Sequence, residues 1–173
     1  MATVRTRPWL VVPMLVALGL PVEAHQAAAA GQTRCNFSFE VTLKPGHGEG
    51  TFTTGGETGD ATCDGPVNGQ TPTGPGKTGA EGRYRLKDRD NCASGGGGEA
   101  VETFTFPTRD GETKLTNRFT FTFGELSPEA KPGSGRFEGD RMSGSFEFRP
   151  TEGDCFTRPV TRARGTGEGI LRH

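Results

Sequence analysis

Few side chains in this sequence could take part in catalysis or metal binding, and their positions restrict which reactions are possible. The three histidines stand at positions 25, 47 and 173. Nucleophilic catalysis of the Ser–His–Asp or Cys–His kind needs an imidazole held by an acid on a packed element. His25 precedes the predicted domain, His173 stands at its end, and His47 lies in a turn rich in glycine. We therefore expect neither a catalytic triad nor a copper or zinc centre built on histidines.

Paired carboxylates would offer a second chemistry, the hydrolysis of glycosidic bonds. Glu40, Glu102 and Glu147 lie on predicted strands, and we place their side chains on the outer, solvated face. Sugar-binding clefts are also usually lined by Trp and Tyr, whereas this chain has only Trp9 and Tyr84. The sequence therefore favours neither a glycosidase nor a carbohydrate-binding module.

Four aspartates are weak candidates for a calcium site. Asp60 and Asp64 lie close together, and Asp88 and Asp90 belong to one Asp-Arg-Asp-Asn run. The spacing of an EF-hand loop is not met, because Cys92 occupies the place of the third ligand and no glutamate closes the loop. We predict no resident metal and no other cofactor.

The four cysteines are predicted to form disulfides. No Cys-x-x-Cys pair is present, which disfavours zinc, and four cysteines allow three pairings. Cys35 opens a predicted strand and Cys63 lies at the far end of its hairpin partner, while Cys92 and Cys155 lie in polar loops. We therefore favour the pairs Cys35–Cys63 and Cys92–Cys155, each contributing about 3–4 kcal/mol through the loop it closes.

The N-terminal segment indicates export. Arg5 and Arg7 precede an apolar run over residues 9–22, and small residues follow, which is the order of a secretory signal peptide. The run is shorter than the roughly 20 residues that cross a bilayer. Cleavage is expected after Ala24, although the small residues that follow would allow a cut as late as residue 30.

This signal divides the chain into three parts. Residues 1–24 are the predicted signal peptide, residues 25–34 a flexible mature N-terminus, and residues 35–173 a single domain. The net charge of −1 provides no basic excess for nucleic-acid binding. We expect a secreted, extracellular monomer with no membrane anchor and no nucleic-acid partner.

Apolar and polar residues alternate along most of the domain, and this period of two indicates β-strands. Every odd position of residues 35–43 is apolar, and residues 115–123 show the same alternation around three phenylalanines. Threonine on the opposite face is typical of a solvated antiparallel sheet. The pattern predicts an all-β, single antiparallel domain of about seven or eight short strands. It would be a small β-barrel or β-sandwich, stapled by disulfides, with phenylalanines in its core and glycine-rich loops.

Glycine runs are interpreted in two ways. Residues 95–98, four consecutive glycines, are expected to form a flexible loop or bulge, and residues 165–167 to interrupt the last strand. The pattern Gly-x-Gly-x-Phe occurs at residues 48–52 and 133–137. Glycines that precede an inward aromatic residue suit the sharply coiled strands of a barrel, and they slightly favour that architecture.

Three functions are compatible with such a domain. The first, which the missing catalytic groups favour, is a secreted, non-catalytic binding or interaction module for a small apolar ligand or an unknown protein. The second is a protease inhibitor that acts through the loop 150–159. Its candidate contact residues are Cys155, Phe156, Thr157 and Arg158, with Phe156 as the anchor. The third is a barrel-type cyclase or isomerase that holds its substrate in an apolar cavity.

Overall fold

The computed structural model describes residues 31–45, 48–54, 60–124, 132–154 and 158–173. Within these ranges the chain forms β-strands, all antiparallel, and no helix. The strands are β1 (Gln32–Pro45), β2 (Glu49–Thr54), β3 (Asp60–Cys63), β4 (Gly76–Asp88), β5 (Asn91–Thr108), β6 (Gly111–Phe123), β7 (Gly133–Gly139), β8 (Met142–Asp154) and β9 (Arg158–Arg172).

The strands form one sheet that closes on itself. Each strand from β4 onward pairs with the next, and β9 returns to pair with β1 from Gln32↔Arg172 to Thr42↔Arg162. The short strands β2 and β3 share one place in this closed sheet, because both lie between β1 and β4. The all-β antiparallel prediction is confirmed, and the continuous pairing replaces the two separate sheets that a sandwich would have.

β1 begins three residues earlier than the sequence suggested. Residues 32–34, assigned above to a flexible N-terminal segment, pair with the end of β9. The side chain of Thr33 is fully buried, donates a hydrogen bond of 3.0 Å to the carbonyl oxygen of Pro66 and lies 2.8 Å from Nε2 of His173. These contacts fix the start of β1 against the last residues of β9.

Both glycine runs lie inside strands, so the prediction that residues 165–167 interrupt the last strand was wrong. Of the two alternatives for residues 95–98, the bulge is the one found, because the register of β4 and β5 shifts between Leu86↔Gly96 and Asp88↔Asn91. In β5, Gly96 pairs with Phe123 and Gly98 with Phe121. In β9, a Cβ atom placed on Gly167 would collide with the aromatic ring of Phe37 on the neighbouring strand. Glycine is needed at this position because the phenylalanine ring lies directly over the backbone, which is a contact between strands that local composition does not reveal.

We expect Gly167→Ala to lower the free energy of unfolding by about 1–3 kcal/mol, the usual cost of overpacking a core. Gly74→Ala is the matched control, because its Cβ would have no neighbour closer than Cγ of Pro107 at 3.9 Å. Urea unfolding of the two variants measures the difference. Equal unfolding midpoints would show that the Phe37 ring can move aside without loss.

A disulfide joins Cys35 and Cys63, the pair that the sequence analysis favoured. The two residues are direct cross-strand partners on β1 and β3, with their Cα atoms 4.1 Å apart. Cys155 and the side chain of Cys92 lie outside the described residues, so the pair Cys92–Cys155 stays a prediction. A disulfide is consistent with an extracellular location, because such bonds persist in oxidising compartments.

The phenylalanines form one continuous core, as predicted. All of them except Phe156, which is not described, contact at least one other phenylalanine ring, with centroids 5.5 to 6.5 Å apart. The pairs Phe37–Phe104 and Phe52–Phe121 join strands that are not neighbours in the closed sheet. The aromatic rings therefore connect its opposite walls.

One end of the closed sheet, which we call the closed end, is completely packed. Its side chains are at most 1% exposed, and the chain between β3 and β4 folds over them. Val67 of that segment is fully buried, Asn68 Nδ2 donates a hydrogen bond of 2.6 Å to the carbonyl oxygen of Lys114, and the Thr73 amide donates one of 2.9 Å to Pro107. The packed side chains are Phe104, Phe106, Leu115, Met142 and Leu171.

Candidate functional site

The opposite end, which we call the open end, is lined by apolar side chains that point inward but remain partly exposed. They alternate with outward polar residues, as the buried side chains of the closed end do. They are therefore exposed because they lie at one end of the closed sheet, and not because they point outward. Several of them pack on a smaller core cluster around Val41 and Phe52. The partly exposed side chains are Leu43, Tyr84, Leu86, Phe123 and Phe148.

Tyr84 gives the open end a polar atom. Its ring packs beside Gly50, the residue with which it pairs on β2. Partial burial raises the pKa of the Tyr84 hydroxyl above its ordinary value of 10.0. The hydroxyl is therefore neutral at physiological pH and can donate or accept a hydrogen bond.

Glu102 is the one charged residue that is buried among the described residues, and it points into the interior. It is 6% exposed, and its Oε1 accepts a hydrogen bond of 3.0 Å from the Thr78 hydroxyl. Burial raises the pKa of this carboxyl to about 7, although the bond from Thr78 acts in the opposite direction. An inward carboxyl with a pKa near neutrality is the only group of the described interior that changes charge at physiological pH.

The expectation that Glu102 lies on the outer face was therefore wrong. Its neighbours at even positions of β5, Ala100 and Phe104, are also buried, whereas Val101 is 37% exposed. The alternation of the strand could have identified Glu102 as inward, because it shares the parity of Phe104. The expectation of an outward side chain rests on its charge and ignores its position in the alternation.

Asn117 faces Glu102 directly across the β5–β6 pair and is fully buried. Its Oδ1 accepts the amides of Arg141 and Met142, both at 3.0 Å, and its Nδ2 donates to the carbonyl oxygen of Met142 at 3.1 Å. This side chain therefore holds the turn between β7 and β8. Because this amide carries no charge, it cannot compensate the charge of the carboxyl opposite.

The four aspartates proposed as weak calcium ligands are not brought together. Asp60 lies 3.5 Å from Nζ of Lys77, and Asp64 accepts a backbone amide at 2.7 Å. Asp88 accepts the amide of Asp90 in the turn between β4 and β5, near the open end. Within the described ranges, no group of three His, Cys, Asp or Glu side chains could hold a metal ion.

The proposed inhibitor loop cannot be placed. Cys155, Phe156 and Thr157 lie outside the described residues, as do His47 and the side chain of Arg158. β8 and β9 pair up to Asp154↔Arg158, with register irregularities that begin after Pro150. Inhibition of a protease through this loop stays a prediction.

A groove of about 490 Å³ crosses the outer face of β3, β1, β9 and β8. It is lined by polar residues, including Asn36 and Glu168, and by the apolar side chains of Phe37, Ala61 and Phe146. Glu168 and Asn36 are exposed and pair across β1 and β9. Of its apolar lining, Phe37 is 8% and Ala61 1% exposed, so these two side chains belong to the core.

The described chain is therefore a closed antiparallel sheet with an aromatic core. Its apolar side chains are fully packed at one end and partly exposed at the other. No protein-family model, curated protein or solved structure matches this chain. In the part of the chain that is described, no helix has the length and apolar character needed to cross a membrane.

Proposed function

We propose that this protein is a secreted, non-catalytic binding module that takes a small apolar ligand at the open end of its closed sheet. The observation that supports this is the difference between the two ends: inward apolar side chains are completely buried at one and partly exposed at the other. Covering exposed apolar surface is favourable by about 25 cal/mol per Å². A closed sheet of this size has room for no more than one small ligand beside its own side chains.

Secretion is supported by two independent features. The first is the order of charged, apolar and small residues over positions 1–24. The second is the Cys35–Cys63 disulfide, which would be reduced in most cytosolic compartments. A ligand in the extracellular medium would reach the open end without competition from cytosolic proteins that bind it.

The lining of the open end favours binding over catalysis. Phe123 and Phe148 offer aromatic contact area but no group that can transfer a proton. Of the lining side chains described, only Tyr84 carries such a group, and burial raises the pKa of its hydroxyl further from neutrality. A cyclase or isomerase that works by acid–base catalysis would need a group with a pKa near the working pH beside the reacting atoms. Glu102 is the only inward carboxyl described, and it is buried opposite Asn117 rather than among the partly exposed side chains. A carboxyl in this position can influence ligand binding at the open end without touching the ligand.

We expect Phe123→Ala and Phe148→Ala each to weaken the binding of an uncharged apolar probe, N-phenyl-1-naphthylamine, by about tenfold, which corresponds to about 1.4 kcal/mol of lost contact. The two rings touch, with their centroids 6.0 Å apart, so each forms part of the same wall. Probe emission measures the affinity. Tyr84 provides a second signal, because it is the only Tyr and the only Trp, Trp9, lies in the predicted signal peptide.

Val101→Ala is the matched control for these variants. Val101 is also a large apolar side chain and is 37% exposed, but it lies on the outer face of β5. Its replacement should leave the affinity for the probe unchanged. Absence of saturable binding by the unmodified protein, or an equal loss in all three variants, would refute the open-end site.

A further inference from the structure

The part of the interior that the structure describes contains almost no ionisable groups. Among the buried or partly buried inward positions that the structure describes, only Glu102 and Tyr84 carry side chains that titrate. Tyr84 stays neutral well above physiological pH, because burial raises the pKa of its hydroxyl from 10.0. A change of charge inside the closed sheet near neutral pH therefore belongs to Glu102.

Among the side chains that the structure describes, no cation faces Glu102 from the strands packed against it. The basic side chains of the neighbouring strands, such as Arg83 and Arg118, are on the exposed outer face. Within the described part of the chain, the hydrogen-bond partner of the carboxyl is the neutral hydroxyl of Thr78. Its inward neighbours are Thr78 and Ala80 on β4, Leu115, Asn117 and Phe119 on β6, and Ala100 and Phe104 on its own strand.

A row of aromatic contacts runs from Phe119, the next inward residue of β6 after Asn117, to the open end. Phe119, the partner of Ala100 on β6, is only partly buried and packs against Phe121 with the ring centroids 6.1 Å apart. Phe121 in turn stacks on Phe123 of the open end at 6.3 Å. A ligand seated on these rings would exclude water from the same interior that surrounds the carboxyl.

We propose that Glu102 makes ligand binding at the open end depend on pH, so that the protein holds an uncharged apolar ligand at acidic to neutral pH and releases it at alkaline pH. This inference rests on the proposed function. A buried carboxylate without a cation needs residual water, which an apolar ligand displaces. The ligand therefore favours the protonated carboxyl, and by linkage the ionised carboxyl lowers the affinity for the ligand. An amine would show the opposite dependence, because it would pair with the carboxylate.

The test is a titration of the full mature protein with N-phenyl-1-naphthylamine at pH 5.5, 6.5, 7.5 and 8.5. The affinity of the unmodified protein should fall between pH 6.5 and 8.5, by at most about tenfold for each pH unit. Glu102→Gln should bind with the same affinity throughout. Glu99→Gln, which changes an exposed residue of the same strand, should keep the pH dependence of the unmodified protein.

Thr78→Val keeps the proposal testable if Glu102→Gln does not fold. The Thr78 hydroxyl stabilises the ionised carboxyl, so its loss should move the midpoint of release to higher pH. Binding that does not change with pH in the unmodified protein would overturn this inference and leave the proposed function intact. An unchanged pH dependence in Glu102→Gln would also overturn it. Absence of probe binding at every pH would overturn both proposals.

Discussion

Glu102→Gln is expected to raise the free energy of unfolding by about 3 kcal/mol at pH 8.5 and by about 1 kcal/mol or less at pH 5. The gain at high pH arises because glutamine has nearly the shape of glutamate and can still accept the Thr78 hydrogen bond, but carries no charge. Burial holds the pKa of the Glu102 carboxyl at about 7 in the folded protein, compared with 4.5 for an unperturbed glutamate. The ionised side chain therefore destabilises the native state at alkaline pH.

The direction of the pH dependence follows from the protons bound. Between pH 4.5 and about 7 the folded protein keeps the proton of Glu102, whereas the unfolded chain has lost it. Stability from the protonated carboxyl is therefore complete below pH 4.5 and is lost as the pH rises to about 7. Glu138 acts in the opposite sense: hydrogen bonds from Arg172 and Ser143 lower the pKa of its carboxyl, so its contribution is lost only in acid. Measurements from pH 5 upward separate the two groups.

Urea unfolding followed by circular dichroism at pH 5 and pH 8.5 measures this difference. Glu99→Gln is the control, because Glu99 lies on the same strand with its side chain exposed, and a substitution there should change stability by less than about 0.5 kcal/mol at either pH. If Glu102→Gln and the unmodified protein were equally stable at pH 8.5, the carboxyl would not be isolated from solvent. The proposed release of ligand at high pH would then lose its physical basis.

The period-two pattern was sufficient to predict an all-β antiparallel sheet and its phenylalanine core. It predicts strand pairs that are close in sequence, because turns connect them directly. The pairing of β1 with β9 is different, since it joins opposite ends of the domain. Closure of the sheet depends on this distant pairing and on the accumulated twist of all strands, and neither can be derived from a local pattern.

The candidate site was only partly visible for a related reason. Tyr84 and the phenylalanines could be assigned to one face by parity, but parity does not show which of them lie at a packed end and which at an open one. Gly167 shows the same limit. It must be glycine because the ring of Phe37, on the neighbouring strand, occupies the space that a Cβ atom would need. Glu102 is the exception, because its position next to Ala100 and Phe104 was readable from the sequence.

Replacing both residues of the Cys35–Cys63 disulfide with alanine is expected to cost about 3–4 kcal/mol of stability. The bond connects residues 28 positions apart, and its loss frees that loop in the unfolded chain. β3 has only four residues, so its attachment to β1 depends strongly on the cross-link. The double variant is preferable to a reducing agent, which would also break any other disulfide.

Urea unfolding can distinguish loss of the cross-link from simple loss of packing. Cys35 is 1% exposed and belongs to the main core cluster, so alanine also leaves a small cavity there. A cavity lowers the unfolding midpoint without changing its dependence on urea, whereas removal of a cross-link lets the unfolded chain expand and steepens that dependence. We therefore expect both a lower midpoint and a steeper slope. A loss below about 1 kcal/mol with an unchanged slope would mean that the closed sheet, rather than the disulfide, holds β3 in place.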